Sequence, residues 1–462
     1  MSNVIPLKPH LKNKIATGIY WFTNDLRVHD NEALAHAANK AESLVCIFIV
    51  EPSWFKPNRY GLKTMGASRW RFLHQSLSDL DIALRAIGQS LIVLYEAPVD
   101  AIATLITQTN ANAVFRSANT GYYENQHWQS LCKRYPFIEF EQQSTHTLFS
   151  SSPLSIDVNE TPPSFSKFRK KTEKLPIQAP HGTLEALPPQ PKITATLRSS
   201  TSLPNLDDAH NFEDDRANTY DAFKGGASQA HAHIDRYFQS SLPANYKLVR
   251  NAVDGFENST KFSPWLANGC ISGRRIIAEL TDYETNVEKN DSTYWIKFEL
   301  LWREYFHWLA AAAQTRLFSL HGIKQTKPLT SFYPERFQRW CSGNTPWPLV
   351  NACMKQLNAT GFMSNRGRQI VASCLVNELN LDWRYGAAYF EQQLIDYDVA
   401  SNWGNWQYLA GVGTDSRGKR HFDIAKQTAQ YDPESTFIRN WTKGETPSLI
   451  DSVDAADWPI AD

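Results

Sequence analysis

The first third of the chain alternates short apolar runs with amphipathic segments. Five runs, GIYWF, SLVCIFIV, SLIVLY, NAVFRS and FIEFE, are rich in β-branched and aromatic residues, which is typical of buried parallel strands. Between them Trp70, Leu73, Leu77 and Leu80 recur at intervals of three and four, so one helical stripe should face a sheet. Residues 15–142 are therefore predicted to form an α/β domain with a five-stranded, doubly wound parallel sheet.

The composition of the chain changes twice after this region. Serine, threonine and proline dominate residues 143–206, which predicts a long interdomain connector, partly wrapped on the surface. Residues 207–462 show helical spacing and many aromatic residues without strand alternation, so a larger all-helical domain is expected. No GxGxxG follows the first strand, which argues against a dinucleotide site in the α/β domain.

Composition and charge narrow the class of protein. The 47 lysines and arginines balance 47 aspartates and glutamates, so a nucleic acid would need a local basic face. The 15 tryptophans suit stacking or electron transfer between rings, although some will serve packing. Six cysteines without CxxC or zinc spacing predict free thiols, a reducing compartment and no metal. No apolar run is long enough for a membrane span, and the basic start lacks a secretory signal, so we expect a cytoplasmic protein without membrane contact.

The segment ENSTKFSPWLANG looks like the start of a helix. Ser263 would be the N-cap and Pro264 the first helical residue. Ser259, Thr260 and Lys261 lie just upstream. Hydroxyls, free N–H groups and the positive end of a helix suit a phosphate. An ordinary capped helix without a ligand explains this segment as well, and taken alone the segment favours that interpretation.

The segment YWIKFELLWREYFHWLA places charged residues on an otherwise apolar helix. Glu299, Trp302 and Arg303 stand at i, i+3 and i+4 and so share one face. A Glu299–Arg303 surface pair beside a half-buried tryptophan would explain them. Because the rest of the helix is apolar, these charges otherwise need partners or a wet cavity.

Two further segments bring polar groups together. TGFMSNRGRQIVAS opens a helix with two arginines against its dipole, so an anion or carboxylate should compensate them. LIDYDVASNWGNWQY could supply that carboxylate from Asp396 or Asp398. Together the segments predict a cavity in the helical domain, suited to a large, flat, phosphorylated ligand. The polar residues at the helix start are Asn365, Arg366, Arg368 and Gln369.

Five ordered motifs resemble the photolyase/cryptochrome flavoproteins. They are WFTNDLRVHDNEAL, STKFSPWLANGCIS, FELLWREYF, TGFMSNRGRQIVAS and LIDYDVASNWGNWQY. The spellings SNRGRQ, IDYDV and NWGNW, with SFSKFRKKTE, resemble the cryptochrome DASH branch. The resemblance spans residues 18–445. It implies an α/β domain that holds an antenna chromophore and a helical domain that holds FAD in a U shape.

The resemblance also implies roles for residues around FAD. Arg368 and Asp396 would form a salt bridge over the isoalloxazine, and Asp398 would meet its pyrimidine edge. Asn402 would sit opposite flavin N5 and tune its redox states, a catalytic role. The remaining residues expected to contact FAD, most of them at the diphosphate, are Tyr246, Ser259, Thr260, Lys261, Phe262, Ser263, Arg303 and Asn365.

The family's reaction is light-driven repair of cyclobutane pyrimidine dimers, a deoxyribodipyrimidine photo-lyase activity. Photoexcited reduced FAD donates an electron to the dimer, and the protein supplies position and electrostatics. Glu299 would hydrogen-bond the dimer bases and Trp302 would stack on them. The other expected contacts to dimer or DNA come from Asn365, Arg366, Gln369 and Tyr408.

Two positions depart from the pattern of double-strand photolyases. Gln369 stands where those enzymes carry methionine, and Tyr408 where they carry a second tryptophan; both are normal for the DASH branch. Flipping a dimer from a duplex costs a few kcal/mol, whereas stacking returns roughly 1–3 kcal/mol per base. A less snug pocket should therefore favour single-stranded DNA, with weak activity at most on duplex DNA or RNA. We expect a monomer.

The resemblance implies an electron relay and an antenna as well. Trp406 and Trp383 match the two inner relay tryptophans, but Thr330 occupies the outer position. The antenna would be 5,10-methenyltetrahydrofolate. Glu124 aligns loosely with the acid that holds its pterin, and an exposed glutamate at a helix start is an equally good interpretation.

Two other functions remain open. A blue-light photoreceptor would use the same flavin and fold, although receptor cryptochromes often carry long C-terminal extensions and here only a short acidic tail follows FIRNW. The protein could instead be a flavin-containing binder of single-stranded DNA or RNA with little repair activity. Its groove would carry Arg366, Arg417, Lys419 and Arg420, which otherwise form a solvated rim.

Overall fold

The computed structural model of the protein describes residues 4–5, 14–149, 161–192, 223–414 and 420–445. An α/β part precedes a helical part, as predicted. The described strands are β1 (Val4–Ile5), β2 (Ile15–Phe22), β3 (Ala41–Val50), β4 (Leu91–Tyr95), β5 (Ala113–Ser117), β6 (Glu139–Gln143) and β7 (Thr183–Leu184).

Five of these strands form one parallel sheet in the order β4-β3-β2-β5-β6, and β1 pairs with β7 outside it. In the central register Ile19 of β2 lies opposite Val45 of β3 and Val114 of β5. Alternate residues of β2 enter two separate cores, with Tyr20 on one side of the sheet and Ile19 on the other. Such two-sided burial explains why the central strands read as continuous apolar runs.

The last predicted strand lies two residues further along the chain than its apolar run suggests. Phe137 of FIEFE is 76% exposed and precedes β6. β6 is an edge strand with partly exposed side chains, so burial does not fix its apolar pattern. The other four predicted strands are confirmed.

Helices cover both faces of the sheet. In α2 the predicted stripe is confirmed, because Trp70, Leu73, Leu77 and Leu80 are each at most 6% exposed. The helices of the α/β part are α1 (Glu32–Lys40), α2 (Ala67–Ala86), α3 (Pro98–Thr109) and α4 (Tyr122–Arg134), with a 3-10 turn at Pro52–Phe55.

The described part of the connector packs against the helical domain. Its helix α5 (Phe165–Thr172) buries Phe165 and Phe168. The ring of Phe165 stacks on Trp302 with 3.8 Å between centroids and 12° between planes. This segment therefore contributes to the core as well as crossing the surface. The remainder of the connector lies outside the described residues.

The rest of the described chain is helical. A π-helical segment, Cys374–Glu378, follows α13, and 3-10 turns lie at Phe256–Asn258 and Gln314–Phe318. The helices are α6 (Ala227–Phe238), α7 (Leu242–Val249), α8 (Ser263–Ala267), α9 (Gly273–Asn286), α10 (Asp291–Ala313), α11 (Pro334–Ser342), α12 (Pro348–Thr360), α13 (Asn365–Ser373), α14 (Trp383–Gln393), α15 (Val399–Ala410), α16 (Ile424–Tyr431) and α17 (Thr436–Thr442).

The two parts of the molecule meet along a polar seam. Gly269 has φ of +68°, and a Cβ there would lie 1.7 Å from the carbonyl oxygen of Asn24, so only glycine allows this approach. Arg27 Nη1 donates to the Gly269 carbonyl at 2.8 Å. Arg274 pairs with Asp30 at 2.9 Å, and both side chains are buried. One apolar core continues across the seam from the sheet into the helices.

The described residues place further limits on the chemistry. All six cysteines are free, and four of them are buried. Within the same part of the chain, no three histidine, cysteine or acidic side chains are grouped as metal ligands. The described helices include none with the length and apolar character needed to cross a membrane.

Candidate functional site

A cavity in the helical domain has two adjoining compartments, which share Arg368, Asp396, Asp398 and Ser401. The first has a volume of about 210 Å³ and the second about 100 Å³. The predicted residues that line only the first are Tyr246, Thr260, Phe262, Ser263, Glu299 and Arg303. Those that line only the second are Asn365, Gln369, Asn402 and Trp406.

The partition between the compartments is a salt bridge. Arg368 Nη2 donates to Asp396 Oδ2 at 2.7 Å, and Ser263 Oγ donates to the same oxygen at 2.6 Å. Ser364 caps α13 by accepting from the Gly367 N–H at 3.1 Å, which fixes the turn that carries Arg368. The expected Arg368–Asp396 pair is therefore present. Asp396 Oδ1 is buried and has no hydrogen-bond partner within the described chain.

Ser263 does not have the role that its sequence context predicts. Phe262 is the N-cap of α8, Ser263 is the first helical residue and Pro264 the second. α8 is only five residues long, and the Ser263 hydroxyl is used on Asp396 instead of a backbone N–H. The N-cap prediction is wrong because a distant carboxylate is the better acceptor partner for this hydroxyl.

Asp398 is held at the start of α15 by two contacts. Its Oδ1 accepts from the Ser401 N–H at 2.7 Å, as an N-cap does. Its Oδ2 lies 3.0 Å from His307 Nε2. Burial would raise the pKa of Asp398, but His307, Arg303 and the Ser401 side chain together hold it well below its usual range.

Asn402 lies one turn into α15 in the second compartment. It is 8% exposed, and its Nδ2 donates to the Ala387 carbonyl at 3.0 Å. This bond fixes the amide in the wall of the cavity. Asn402 thus has the rigid placement that its expected role opposite a flavin ring requires.

Glu299 has a different partner from the one that helical spacing suggests. Its Oε1 accepts from Arg250 Nη1 at 2.5 Å and from Trp295 Nε1 at 3.1 Å. Arg303 instead donates to the His146 carbonyl at 2.6 Å, so the Glu299–Arg303 surface pair is wrong. Burial raises the pKa of Glu299, although Arg250 opposes the rise. The carboxyl group faces the first compartment.

Sequence reasoning missed two residues of this site. His307 carries a signal that was available, because Glu299, Arg303 and His307 follow one another at intervals of four on one face of α10. Arg250 carries no local signal. It lies 49 positions before its carboxylate partner, and only the tertiary packing of α7 against α10 brings the two together.

Two residues expected at the diphosphate lie behind the cavity wall. Lys261 Nζ donates to Ser259 Oγ at 2.8 Å and to the Gly255 carbonyl at 3.2 Å. Burial lowers the pKa of Lys261 to about 8. Their neighbours Thr260 and Phe262 do line the first compartment. Lys261 therefore supports this loop from behind the wall.

The residues expected to contact DNA have partners within the protein. Tyr408 meets the Trp302 ring edge-on at 6.2 Å and accepts a hydrogen bond from Arg420. Arg366 Nη2 donates to Asn251 Oδ1 at 3.1 Å, and its guanidinium lies 4.9 Å from the centre of the Tyr431 ring. Of the expected basic groove, Arg417 and Lys419 lie outside the described residues.

The two predicted relay tryptophans are fully buried and belong to neighbouring helices. Trp406 reaches the second compartment and rests its ring on Gly386, where a Cβ would lie 2.2 Å from the indole. Gly386 is one turn after Trp383 in α14. Thr330 lines a surface hollow of about 270 Å³ that Trp383 also lines.

A larger cavity of about 500 Å³ lies between the α/β part and the helical part. Glu124 stands in its wall, in the first turn of α4. Glu124 is exposed to the space of the cavity. Desolvation by the protein around the cavity nevertheless raises the pKa of its carboxyl group. Both interpretations of Glu124 are thus partly met, since it is at a helix start and inside a cavity. Other charged residues of the wall are Glu51, Lys56, Arg69, Arg116, Arg303, Glu391 and Asp398.

A buried acid joins this cavity to the helical domain. Arg69 Nη1 donates to the Glu391 carbonyl at 2.8 Å, and its guanidinium lies 4.3 Å from the centre of the Tyr397 ring. Burial raises the pKa of Glu391 to about 7, against the charge of Arg69. The Glu391 side chain therefore titrates near neutral pH in the wall of the larger cavity.

The comparisons with known proteins agree with this geometry. The model of a family described as DNA photolyase matches residues 18–192, and one described as the FAD binding domain of DNA photolyase matches residues 295–449. A cryptochrome DASH from Idiomarina loihiensis is 51% identical over 96% of each chain. One from Vibrio parahaemolyticus is 48% identical over 97% of this chain and 98% of its own.

The fold has a solved counterpart as well. The crystal structure of a Synechocystis cryptochrome matches with a TM-score of 0.87 at 37% identity, over 93% of this chain and 89% of its own.

The helical cavity fits FAD. Its two compartments adjoin at the Arg368–Asp396 pair, and the unpartnered Asp396 Oδ1 offers an acceptor to a ligand N–H or hydroxyl. Tyr246, Thr260 and Arg303 would hold the phosphate side, and Asp398 and Asn402 the ring side. The chain binds FAD and belongs to the photolyase/cryptochrome family, in its cryptochrome DASH branch.

Proposed function

We propose that the protein repairs cyclobutane pyrimidine dimers with light and prefers dimers in single-stranded DNA. The observation that carries the proposal is the position of Glu299. Glu299 lines the FAD cavity, and Trp302 follows it three positions later on the same face of α10. A dimer placed there would touch both residues and lie against the flavin side of the cavity.

The environment of Glu299 suits recognition of a base. Burial raises its pKa, so the carboxyl is protonated more readily than an exposed glutamate and can donate to a carbonyl oxygen of the dimer. Arg250 and Trp295 hold Oε1, which leaves the other oxygen for the substrate. The residue is thus oriented before the dimer arrives, and less ordering is needed on binding.

The residues around FAD set the conditions for the reaction. When bound, FAD supplies the one-electron photochemistry that splits the dimer. Arg368 and Asp396 fix the fold of the cofactor, while the fixed Asn402 amide would hydrogen-bond near the reactive ring. Asp398 keeps its charge at neutral pH because His307 and Arg303 lower its pKa.

Three features support the preference for single strands. One face of Trp302 is covered by Phe165, and Tyr408 is engaged by Arg420, so the pocket offers limited stacking. Less stacking leaves less free energy to extract a dimer from a duplex. The exposed lysines of α5, which is packed beside Trp302, would contact phosphates of a flexible strand; they are Lys167, Lys170 and Lys171.

The test compares two substrates under blue light. Chemically reduced protein receives the same dimer in single-stranded and in duplex DNA, and loss of dimer is measured. We expect repair of the single strand to exceed that of the duplex. Glu299→Ala should lower single-strand repair by about tenfold or more, from a lost hydrogen bond to a buried group of roughly 1–3 kcal/mol.

Glu299→Gln is the matched variant, because an amide keeps a donor and should retain most of the activity. FAD content is measured in each variant to exclude loss of cofactor. Equal turnover on both substrates would reject the single-strand preference. Absence of repair from both, with FAD bound, would reject repair and favour a blue-light photoreceptor.

For the larger cavity we propose 5,10-methenyltetrahydrofolate as the antenna. Glu124 would accept from the pterin amino group, and Lys56, Arg69 and Arg116 offer charges that suit the glutamate carboxylates of a folate. Trp54 and Tyr123 line the same space and offer ring faces. An absorption band in the near ultraviolet beyond that of FAD, removed by denaturation and filtration, would establish the folate.

We further propose that the protein acts as a monomer in the cytoplasm. Its six free cysteines suit a reducing compartment. Light scattering of purified protein and fractionation of cells would test these two statements.

A further inference from the structure

The electron relay lacks its expected outer ring. Residue 330 is threonine, and it lines the surface hollow beside Trp383 with Pro328, Leu329 and Leu381. None of these four side chains is readily oxidised. An electron for Trp383 must therefore come from another direction if the relay operates.

An unbroken row of aromatic rings extends from Trp383 to Phe332. The centroids of Trp383 and Trp403 lie 5.8 Å apart, those of Trp403 and Tyr60 6.4 Å, and those of Tyr60 and Tyr385 5.0 Å. Tyr385 then stacks on Phe332 at 3.9 Å. At such separations the ring edges are nearly in contact, so an electron can pass between neighbouring rings.

The row runs from the interior towards solvent. Trp383 and Trp403 are buried at 1% and 3% exposure, whereas Tyr60 and Tyr385 are half-buried. Tyr60 comes from the α/β part, where Asn58 Oδ1 accepts from its N–H at 2.8 Å and fixes the turn. Its hydroxyl is enclosed without a hydrogen-bond partner among the described residues, so Tyr60 bridges Trp403 to Tyr385, which ends the row.

We propose that Trp403, Tyr60 and Tyr385 form the outer half of the electron relay and that Tyr385 is its terminal donor. The proposal rests on the proposed function, because it assumes that Trp406 and Trp383 supply electrons to photoexcited FAD. Residue 330 takes no part in this relay.

The transfer balances in electrons and protons. Trp406 would give one electron to FAD and be refilled by Trp383, which would be refilled through Trp403 and Tyr60 from Tyr385. The oxidised phenol releases its proton to water and becomes a neutral tyrosyl radical, which keeps the electron vacancy at the surface. A thiol in solution then returns one electron and one proton to the tyrosyl radical. Burial, with Asp382, raises the pKa of Tyr385, so the phenol is neutral before transfer.

A buried branch near Trp406 provides the matched control. Trp406 also contacts Trp340, and Trp340 contacts Tyr389. Tyr389 is 7% exposed, and its hydroxyl donates to Asn358 Oδ1 at 2.6 Å. A phenol enclosed in this way has no water to take its proton. Tyr389→Phe should therefore leave photoreduction unchanged.

The experiment illuminates oxidised FAD-loaded protein with a thiol and without oxygen. The rate of flavin photoreduction is measured, and radicals are trapped by freezing for electron paramagnetic resonance with ring-deuterated tyrosine. Wild type should give a spectrum that narrows on deuteration, the signature of a tyrosyl radical. The double variant Tyr60→Phe with Tyr385→Phe should lose that signal and be reduced more slowly. Trp403→Phe should do the same.

A rescue keeps the test independent of damage to the fold. Thr330→Trp, placed in the hollow in the double-variant background, should restore fast photoreduction with a tryptophanyl radical instead. A tyrosyl signal or an undiminished rate in the double variant would overturn the proposal, and so would an equal loss in Tyr389→Phe.

The proposed repair function is judged separately. Wild-type protein that has been reduced chemically in the dark needs no relay, so dimer repair by that sample tests the repair function alone. The trapped radical tests the relay alone.

Discussion

The two cavities of the molecule are built in opposite ways. The FAD cavity lies inside the helical domain, and its charged groups are paired, as Arg368 is with Asp396 and Glu299 is with Arg250. The interdomain cavity is larger, and burial raises the pKa of two of its acids, Glu124 and Glu391. The FAD cavity is organised before its ligand binds. The interdomain cavity holds carboxyl groups that would gain further hydrogen bonds from the ligand.

This difference predicts that the two cavities hold their ligands with different affinities. A preorganised site loses little free energy on ordering and holds its ligand tightly. A site whose acids are poorly compensated obtains more of its binding free energy from hydrogen bonds that the ligand's own N–H groups donate, so its affinity depends on the number of those groups. We therefore expect FAD to stay bound through purification, and the antenna to be lost more readily.

The largest effect should follow from breaking the partition of the FAD cavity. Asp396→Ala leaves Arg368 without its carboxylate, and removal of one partner of a buried pair costs about 3–5 kcal/mol. We expect colourless protein with a lower free energy of unfolding. The ratio of flavin to protein absorbance and urea unfolding measure the two effects.

The control for this change is an exposed pair of the same chemistry. Glu335→Ala removes the partner of Arg339 on the surface of α11, which should cost at most about 1 kcal/mol and leave the colour unchanged. Full FAD content in Asp396→Ala would show that the cavity does not depend on its salt bridge.

A smaller and more selective effect is expected in the interdomain cavity. Glu124→Ala should weaken folate binding by roughly 10- to 100-fold, the equivalent of a charged hydrogen bond of about 1.5–3 kcal/mol. FAD content should not change. Titration of the variant with folate, followed by absorption, measures the effect. Glu42→Ala, an exposed acid at the start of β3, is the control, and equal weakening there would remove Glu124 from the site.

The smallest effect concerns pH. Folding raises the pKa of Glu391 from 4.5 to about 7, so the folded protein binds this proton more tightly than the unfolded chain. Its contribution to the free energy of unfolding is present below pH 4.5 and is lost as the pH rises to about 7. The loss should be on the order of 1–2 kcal/mol, allowing for access through the cavity.

Glu391→Gln should flatten this part of the pH profile and raise stability at pH 8 relative to wild type. Urea unfolding of both proteins at a series of pH values provides the comparison. An identical slope in the two proteins would show that Glu391 does not titrate in this window.

Local patterns predicted the helices and strands well, because the spacing of apolar residues along the chain reflects which side of each element is buried. The stripe of α2 and the central strands follow from it. The Arg368–Asp396 pair was also predictable, since an arginine at a helix start requires a counter-charge. The family motifs supplied the roles of these residues, and those roles still await the experiments above.

The errors concern partners that are distant in sequence. Ser263 uses its hydroxyl on Asp396, Glu299 pairs with Arg250, and Phe165 of the connector covers Trp302. Each contact competes with a local alternative that helical spacing would favour. Tertiary packing determines which of the two contacts forms, and the local sequence does not indicate the outcome.

The seam at Gly269 has a consequence for the use of light. Non-radiative transfer of excitation between two dyes weakens steeply with their separation and depends on their relative tilt. Asn24, Arg27 and the Arg274–Asp30 pair hold the two parts of the molecule together across this seam. In the proposed arrangement the donor and acceptor dyes would keep a constant spacing and angle, so the efficiency of light harvesting would be a fixed property of the folded chain.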